Sequence, residues 1–134
     1  NQSFGSIVAE VVEASLSPEG EPRVHRVVVA IDCGVAINPN LVEQQVESAV
    51  VYALSAALYG QIHFNEGRVE EGNFDRYRVL RFAETPTIET HIQPSNRPPG
   101  GVGEPGVPPL APALANAMAV LTGKPVRRLP LIGA

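Results

Sequence analysis

The chain has 134 residues, enough for a single domain built around one hydrophobic core. A hydrophobic content of 44% and a charged content of 18% are typical of a globular protein and argue against a disordered one. The net charge of −4, without a long basic run, argues against a nucleic-acid partner, and no apolar stretch is long enough to span a membrane. The single cysteine, Cys33, excludes an internal disulfide framework and a cysteine-based zinc site.

The N-terminal half predicts a hairpin followed by a helix. Residues 7–14 and 24–31 are rich in β-branched side chains, and the turn-forming cluster between them predicts two antiparallel strands. Asn38 and Pro39 then provide an N-cap and a proline at the first helical position. Apolar residues recur at helical spacing from Val42 onward, and Gly60 is the predicted end of this helix.

The C-terminal half predicts shorter elements that are separated by turns. Residues 65–67 form a turn signal between two short runs, and the alternation over residues 87–93 predicts another strand. A helix is predicted over about residues 109–122, with Pro112 tolerated in its first turn. Together the elements predict an α+β fold, a mostly antiparallel sheet with two main helices packed on one face.

One loop places a single carboxylate among glycines. This segment, called the glycine loop below, reads Gly100-Gly101-Val102-Gly103-Glu104-Pro105-Gly106. Glycines allow another group to approach the backbone closely, and a lone glutamate near a helix start and an apolar wall can act as an acid or a base. The alternative for Glu104 is an ordinary solvated loop carboxylate, with the glycines serving only as turn residues.

The glycine loop also matches the spacing G-x-G-x-x-G of dinucleotide-binding proteins. Such a site requires a strand before the motif, a helix that opens within it and an acidic residue about 20 positions later. Here the preceding segment is rich in proline, and no aspartate or glutamate follows Glu104. The sequence therefore disfavours a nucleotide-binding module.

Several other polar residues have ordinary structural interpretations. Gln45 lies on the flank of the first predicted helix, where a boundary glutamine is common, and Asn116 lies alone in an apolar helix, where we expect a buried, hydrogen-bonded side chain. Cys33 is predicted to be a small buried residue. Three histidines lie on separate predicted strands without ligand spacing, which argues against a metal site: His25, His63 and His91.

Four segments carry a recognisable family pattern, in the same order along the chain. They are residues 3–11, residues 29–39, the triplet Gln45-Val46-Glu47, and residues 100–109 together with 111–117. A weaker fifth match comprises Asn73, Phe74, Tyr77 and Arg81. Taken together, these segments resemble the molybdenum-binding subunit of the molybdenum hydroxylases, the xanthine dehydrogenase and aldehyde oxidase family.

The resemblance implies a set of site residues. The glutamate matching Glu104 is the catalytic base in that family, and the glutamine matching Gln45 lies near the cofactor. Val102 and Gly103 match the backbone beside the molybdenum site. No metal ligand from this chain is implied.

The resemblance also shows where this sequence departs from the family pattern. Gln44 and Ser48 stand where the family usually has glycines, so this helix is bulkier near the expected cofactor position.

The resemblance further implies an oxidoreductase that hydroxylates an N-heterocycle or an aldehyde with water as the oxygen source. Residues 1–134 would be one domain, the C-terminal part of a larger subunit that holds a molybdopterin-type molybdenum cofactor. The missing N-terminal part and an iron–sulfur subunit with 2Fe–2S clusters would be its partners. Because cofactor contacts from upstream are absent, we expect this piece alone to be inactive and cofactor-free.

Two further expectations concern the piece by itself. Its apolar helix faces would favour self-association once the packing partners are removed. The alternative function is a non-catalytic binding or assembly domain that retains the fold.

Overall fold

A four-stranded sheet with two long helices organises the chain in the computed structural model, which describes residues 1–132. The last two positions of the expected domain, 133 and 134, lie outside the described residues. In chain order the elements are β1 (Gln2–Ser3), β2 (Ser6–Leu16), β3 (Pro22–Asp32), α1 (Pro39–Tyr59), β4 (Phe64–Asn65), β5 (Arg68–Val69), β6 (Thr87–Ile92) and α2 (Leu110–Thr122).

The main sheet has the strand order β1-β2-β3-β6. The first two pairings are antiparallel, whereas β6 lies parallel to β3. A parallel pair needs a crossover connection, and α1 lies within the connection from β3 to β6. β4 and β5 form a separate two-stranded ribbon where the second hairpin was predicted. The predicted α+β fold with a mostly antiparallel sheet and two main helices is confirmed.

The hydrophobic core lies between the sheet and the helices. On β2, Ser6 and Val8 are buried while Ile7 and Ala9 are exposed, as the two-residue repeat of a strand requires. Most core residues come from β2, β3 and both helices, and they include Val8, Val27, Val29, Ile31, Leu54, Leu110 and Leu114. Each fully buried side chain of this size contributes roughly 1.5–3 kcal/mol relative to exposure.

α1 begins and ends where the sequence predicts. The side chain of Asn38 accepts a 3.2 Å hydrogen bond from the backbone N–H of Leu41, and Pro39 occupies the first turn. This bond satisfies one of the N–H groups that the first turn leaves without a helical partner. Gly60 follows the last residue of the helix, and its N–H donates to the carbonyl of Ala56 at 3.0 Å.

α2 packs one face against β2 and leaves the other in solvent. Its buried residues are Leu110, Leu114 and Met118, which recur every four positions. Asn116 lies midway between two of them and therefore on the opposite face, where it is exposed. The expectation of a buried, hydrogen-bonded Asn116 is wrong, because only one stripe of this apolar helix contacts the sheet.

Candidate active site

The glycine loop is fastened to the start of β2 and to the end of β3. The N–H of Gly101 donates to the carbonyl of Phe4 at 2.7 Å, and the hydroxyl of Ser6 donates to the carbonyl of Gly101 at 2.7 Å. The N–H of Gly100 donates to the carbonyl of Cys33 at 2.8 Å. Three bonds within two loop residues hold this end of the loop against the sheet.

Close approach explains why glycines occupy this end of the loop. A Cβ on Gly100 would lie 2.5 Å from Ser6 Oγ, and one on Gly101 would lie 2.9 Å from Phe4 Cβ. Both distances are too short for nonbonded heavy atoms. A larger residue at either position would push the loop away from the bonds that fasten it.

The middle of the glycine loop lies along the first half of α1. A Cβ on Gly103 would lie 3.6 Å from Gln45 Oε1, and one on Gly106 would lie 3.0 Å from Ala49 Cβ. Gln45 and Ala49 are one helical turn apart, so the loop follows a single face of α1. The structure thus brings together Gln45 and Gly103, two of the residues selected from sequence. The side chain of Val102 is half-buried and packs against the core.

Glu104 lies at the exposed side of the loop. Its side chain makes no hydrogen bond or ion pair with other described residues. It borders a depression of about 490 Å³ that is largely apolar, with the other lining residues being Ser3, Phe4, Ser48, Ala49, Tyr52, Gly103, Val107 and Pro108. The apolar wall expected from sequence is present, but it covers one side of the carboxylate and leaves the other open.

The segment before the glycine loop is held by an ion pair. Arg97 Nη2 lies 2.8 Å from Asp32 Oδ2, and the same guanidinium group donates to the carbonyls of Gly5 and Asp32. The hydrogen bond from Arg97, followed by that from the N–H of Gly34, holds the pKa of Asp32 below its usual value. This pair joins the end of β3 to the chain that leads into the loop.

The other polar candidates lie apart from the loop. His25 shares a 2.7 Å hydrogen bond with Ser15, and His63 lies beside Glu71 in the region of the small ribbon, just before β4 rather than on a strand. Within residues 1–132, no group of three or more His, Cys, Asp or Glu side chains is arranged to hold a metal ion. No helix in the same part of the chain is long and apolar enough to cross a membrane.

A larger depression, of about 680 Å³, does not include the glycine loop. It lies between α1 and the residues that precede β6, and it is bordered by Gln44, Glu47 and Ser48 among others. Gln44 and Ser48, the two departures from the family pattern, therefore face this region of α1. Ser48 borders both depressions.

One residue near the loop was not selected from the sequence. Glu10 occupies a position on β2 that faces the helices, in the same alternating set as Ser6 and Val8. Both of its carboxylate oxygens are inaccessible to solvent and have no hydrogen-bond partner in the described part of the chain. A charged residue at an inward position of an alternating strand is a sequence signal that could have identified it.

The sequence of this chain matches a known protein family. The profile described as the molybdopterin cofactor-binding domain matches residues 2–86, which is more than half of the chain, so the chain belongs to this family. The matched range includes Gln45 and ends before the glycine loop.

Two curated relatives extend the similarity further along the chain. The chain is 33% identical over 113 residues to the beta subunit of isoquinoline 1-oxidoreductase from Brevundimonas diminuta, covering 84% of this chain and 14% of that protein. It is 37% identical over 113 residues to a nicotinate dehydrogenase subunit from Pseudomonas putida, covering 84% of this chain and 10% of that protein. The chain thus spans between a tenth and a seventh of the length of these relatives.

A solved structure shows the same fold. The Cu,Mo-CO dehydrogenase in its carbon monoxide reduced state matches with a TM-score of 0.75 and 28% identity. The match covers 85% of this chain and 15% of that chain. The resemblance to molybdenum hydroxylases that the sequence motifs indicated is confirmed by these similarities.

Proposed function

We propose that this chain forms one wall of the active site of a molybdenum hydroxylase, with Glu104 as the general base. In this proposal residues 1–134 are a single domain, the C-terminal part of a larger molybdopterin-binding subunit. The observation that carries the proposal is the contact of the glycine loop with Gln45. It places Gly103, the residue before the exposed Glu104, beside the exposed side-chain amide of Gln45, which is far away in sequence.

The donors at this surface suit a polar, phosphate-bearing pterin cofactor. The side-chain amide of Gln45 makes no hydrogen bond within residues 1–132. The backbone N–H groups of Val102 and Gly103 make none there either. Gly103 also has no side chain to fill the space above the loop. Gln45, Val102 and Gly103 are the residues that would hold the cofactor, while this chain supplies no metal ligand.

The bound cofactor would accept the two electrons removed from the substrate carbon. Glu104 would take up the proton released from the attacking oxygen, which requires hydrogen-bond distance and a fixed direction. Pro105 is fully buried, and the bonds to Phe4 and Ser6 restrain the loop on its other side. The carboxylate is therefore carried on a restrained backbone while its oxygens remain accessible.

The substrate class and the partners follow from the same proposal. An electron-poor carbon of an N-heterocycle or an aldehyde would enter beside Glu104, against the apolar side of the 490 Å³ depression. The remainder of the subunit would close the open side, and an iron–sulfur subunit carrying 2Fe–2S clusters would accept the electrons. A single wall cannot enclose a cofactor, so we propose that this chain by itself is inactive and cofactor-free.

The test is Glu104→Gln in the complete protein with its partners. Removing a general base without changing the shape of the side chain should lower turnover about 10²- to 10⁴-fold. Glu43→Gln is the matched control, because the side chain of Glu43 is exposed on α1 and makes no hydrogen bond or ion pair within residues 1–132. It should leave turnover unchanged, and both variants should retain their molybdenum. Near-normal turnover in Glu104→Gln would overturn the assignment.

The alternative is a non-catalytic binding or assembly domain with the same fold. The open side of the site is compatible with it, because a docking surface is also accessible. The complete coding sequence separates the two functions, since the alternative predicts that the upstream cofactor-binding segments are missing. Turnover that is insensitive to Glu104→Gln in a protein that does contain those segments would also favour the alternative.

A further inference from the structure

Glu10 is a half-buried residue whose two carboxylate oxygens are both inaccessible to solvent. It lies on β2 between Val8 and Val12, which face the helices, and neither carboxylate oxygen has a hydrogen-bond partner in the described part of the chain. A buried charge without a partner is costly, and such groups are normally paired or become neutral. The groups that surround Glu10 should therefore explain why its carboxyl group has no partner.

The carboxyl group lies directly beneath the end of the glycine loop. A Cβ on Gly106 would lie 3.7 Å from Glu10 Oε1, and Pro105 beside it is fully buried. The side-chain amide of Asn1 donates to the carbonyl of Pro105 at 3.3 Å and holds the loop down from the other side. Glu104 is the next residue toward the exposed surface, so any movement of Pro105 also moves the proposed base.

Burial raises the pKa of Glu10 to about 7. The amino group of Asn1 opposes this rise in this chain, but it would be an uncharged peptide nitrogen in the longer subunit proposed above. No other neighbouring element in the described part of the chain brings a charged group to it. β3 places Val29 opposite Glu10, α1 contributes Ala49 beside Gly106, and the buried face of α2 consists of Leu110, Leu114 and Met118. Glu104 is turned toward solvent.

We propose that Glu10 is a positioning residue for the glycine loop, supporting Pro105 and Gly106 with an uncharged carboxyl group that ionises when the loop lifts and water reaches it. Loop opening then depends on pH. The consequence for catalysis rests on the function proposed above, because it requires Glu104 to be the base. The pH dependence of the opening does not require it.

The direction of the pH dependence follows from how many protons the closed and open states bind. With the loop closed, the carboxyl keeps its proton up to about pH 7; with the loop open, it loses the proton near its ordinary value of 4.5. The closed state therefore binds more protons between these values. The stabilisation of the closed state by the protonated carboxyl is complete below about pH 4.5. It falls as the pH rises toward 7 and changes no further above 7.

Hydrogen–deuterium exchange of the peptide covering the loop tests this in the complete protein. Exchange is followed from pH 5 to pH 8 and corrected for the intrinsic pH dependence of amide exchange. The opening constant should rise by up to about tenfold per pH unit between pH 5 and 7 and then level off. Glu10→Gln and Glu10→Met, which have no proton to lose, should give flat profiles, whereas the control Glu43→Gln should retain the rise.

A flat profile in the unmodified protein would overturn the proposal, and so would a rise that persists in Glu10→Gln or Glu10→Met. If neither variant folds, the profile of the unmodified protein decides. The result is also separable from the proposed function. Glu104→Gln should lower turnover about 10²- to 10⁴-fold and keep the pH-dependent exchange. Normal turnover in that variant would remove the catalytic role and leave the Glu10 result standing.

Discussion

The buried hydroxyl of Ser6 donates a 2.7 Å hydrogen bond to the carbonyl oxygen of Gly101, 95 residues later in the chain. The bond connects the first residue of β2 with the glycine loop, so the sheet rather than the neighbouring turns determines where the loop lies. The position of Glu104, three residues beyond Gly101, depends on this connection.

We expect Ser6→Ala to destabilise the protein by about 0.5–1.5 kcal/mol, because it removes the donor of a partly buried hydrogen bond. Ser48→Ala is the control, since Ser48 is exposed on α1 and its hydroxyl makes no hydrogen bond within residues 1–132. Its effect should stay within about 0.5 kcal/mol. Chemical denaturation of both variants measures the difference, and equal effects would show that the Ser6 bond does not hold the loop.

Gly34→Ala should be more damaging than Gly20→Ala, although both glycines have positive φ, of 73° and 87° respectively. Both substitutions incur the cost of a left-handed backbone, about 1–2 kcal/mol. A Cβ on Gly34 would also lie 2.2 Å from the carbonyl oxygen of Pro98, whereas nothing lies within 4 Å of one on Gly20.

The difference between the two variants isolates the clash with the segment that leads into the glycine loop. We expect Gly34→Ala to cost at least about 1 kcal/mol more in unfolding free energy. Equal midpoints in a denaturant titration would contradict the close packing of Gly34 against Pro98.

Gly103→Ala should separate the needs of the fold from those of a bound cofactor. The added Cβ would make only an ordinary contact, 3.6 Å from Gln45 Oε1, so the stability should change by less than about 0.5 kcal/mol. The same methyl group occupies space at the proposed cofactor surface. In the complete protein we expect a lower molybdenum content by elemental analysis, and full loading would argue against a cofactor above Gly103.

The Asp32–Arg97 ion pair predicts a dependence of stability on acid. Because the pKa of Asp32 is lowered in the folded state, its stabilisation is present above the ordinary carboxyl value of 3.8 and is lost as the pH falls through the folded value. Arg97→Gln should therefore lower the melting temperature at pH 6 and converge with the unmodified protein at low pH. Arg127→Gln is the control at another exposed arginine. The difference between its melting temperature and that of the unmodified protein should not change with pH.

Local chemistry explains which elements could be predicted. The limits of α1 follow from Asn38, Pro39 and Gly60, which act within one helical turn of its ends. Strands β2 and β3 follow from their β-branched composition. The parallel pairing of β6 with β3 has no local signal, because it depends on how α1 returns the chain to the sheet.

The candidate site was predictable in part. The glycine loop and Gln45 were selected from their sequence setting, and the fold places Gly103 beside Gln45. Glu10 was not selected, because its isolation depends on Pro105 and Gly106, which reach it only in the folded chain. Asn116 was misjudged because an apolar sequence does not reveal which stripe of a helix packs.

The long sequence separation across the Ser6–Gly101 bond has a consequence for the order of folding. Closing so large a loop of chain is entropically expensive until other contacts have brought its ends together. The hairpin of β2 and β3 is local by comparison and can form early. We therefore expect the segment around Glu104 to acquire its structure late, so a refolding protein would have its β2–β3 hairpin before it has a base in position.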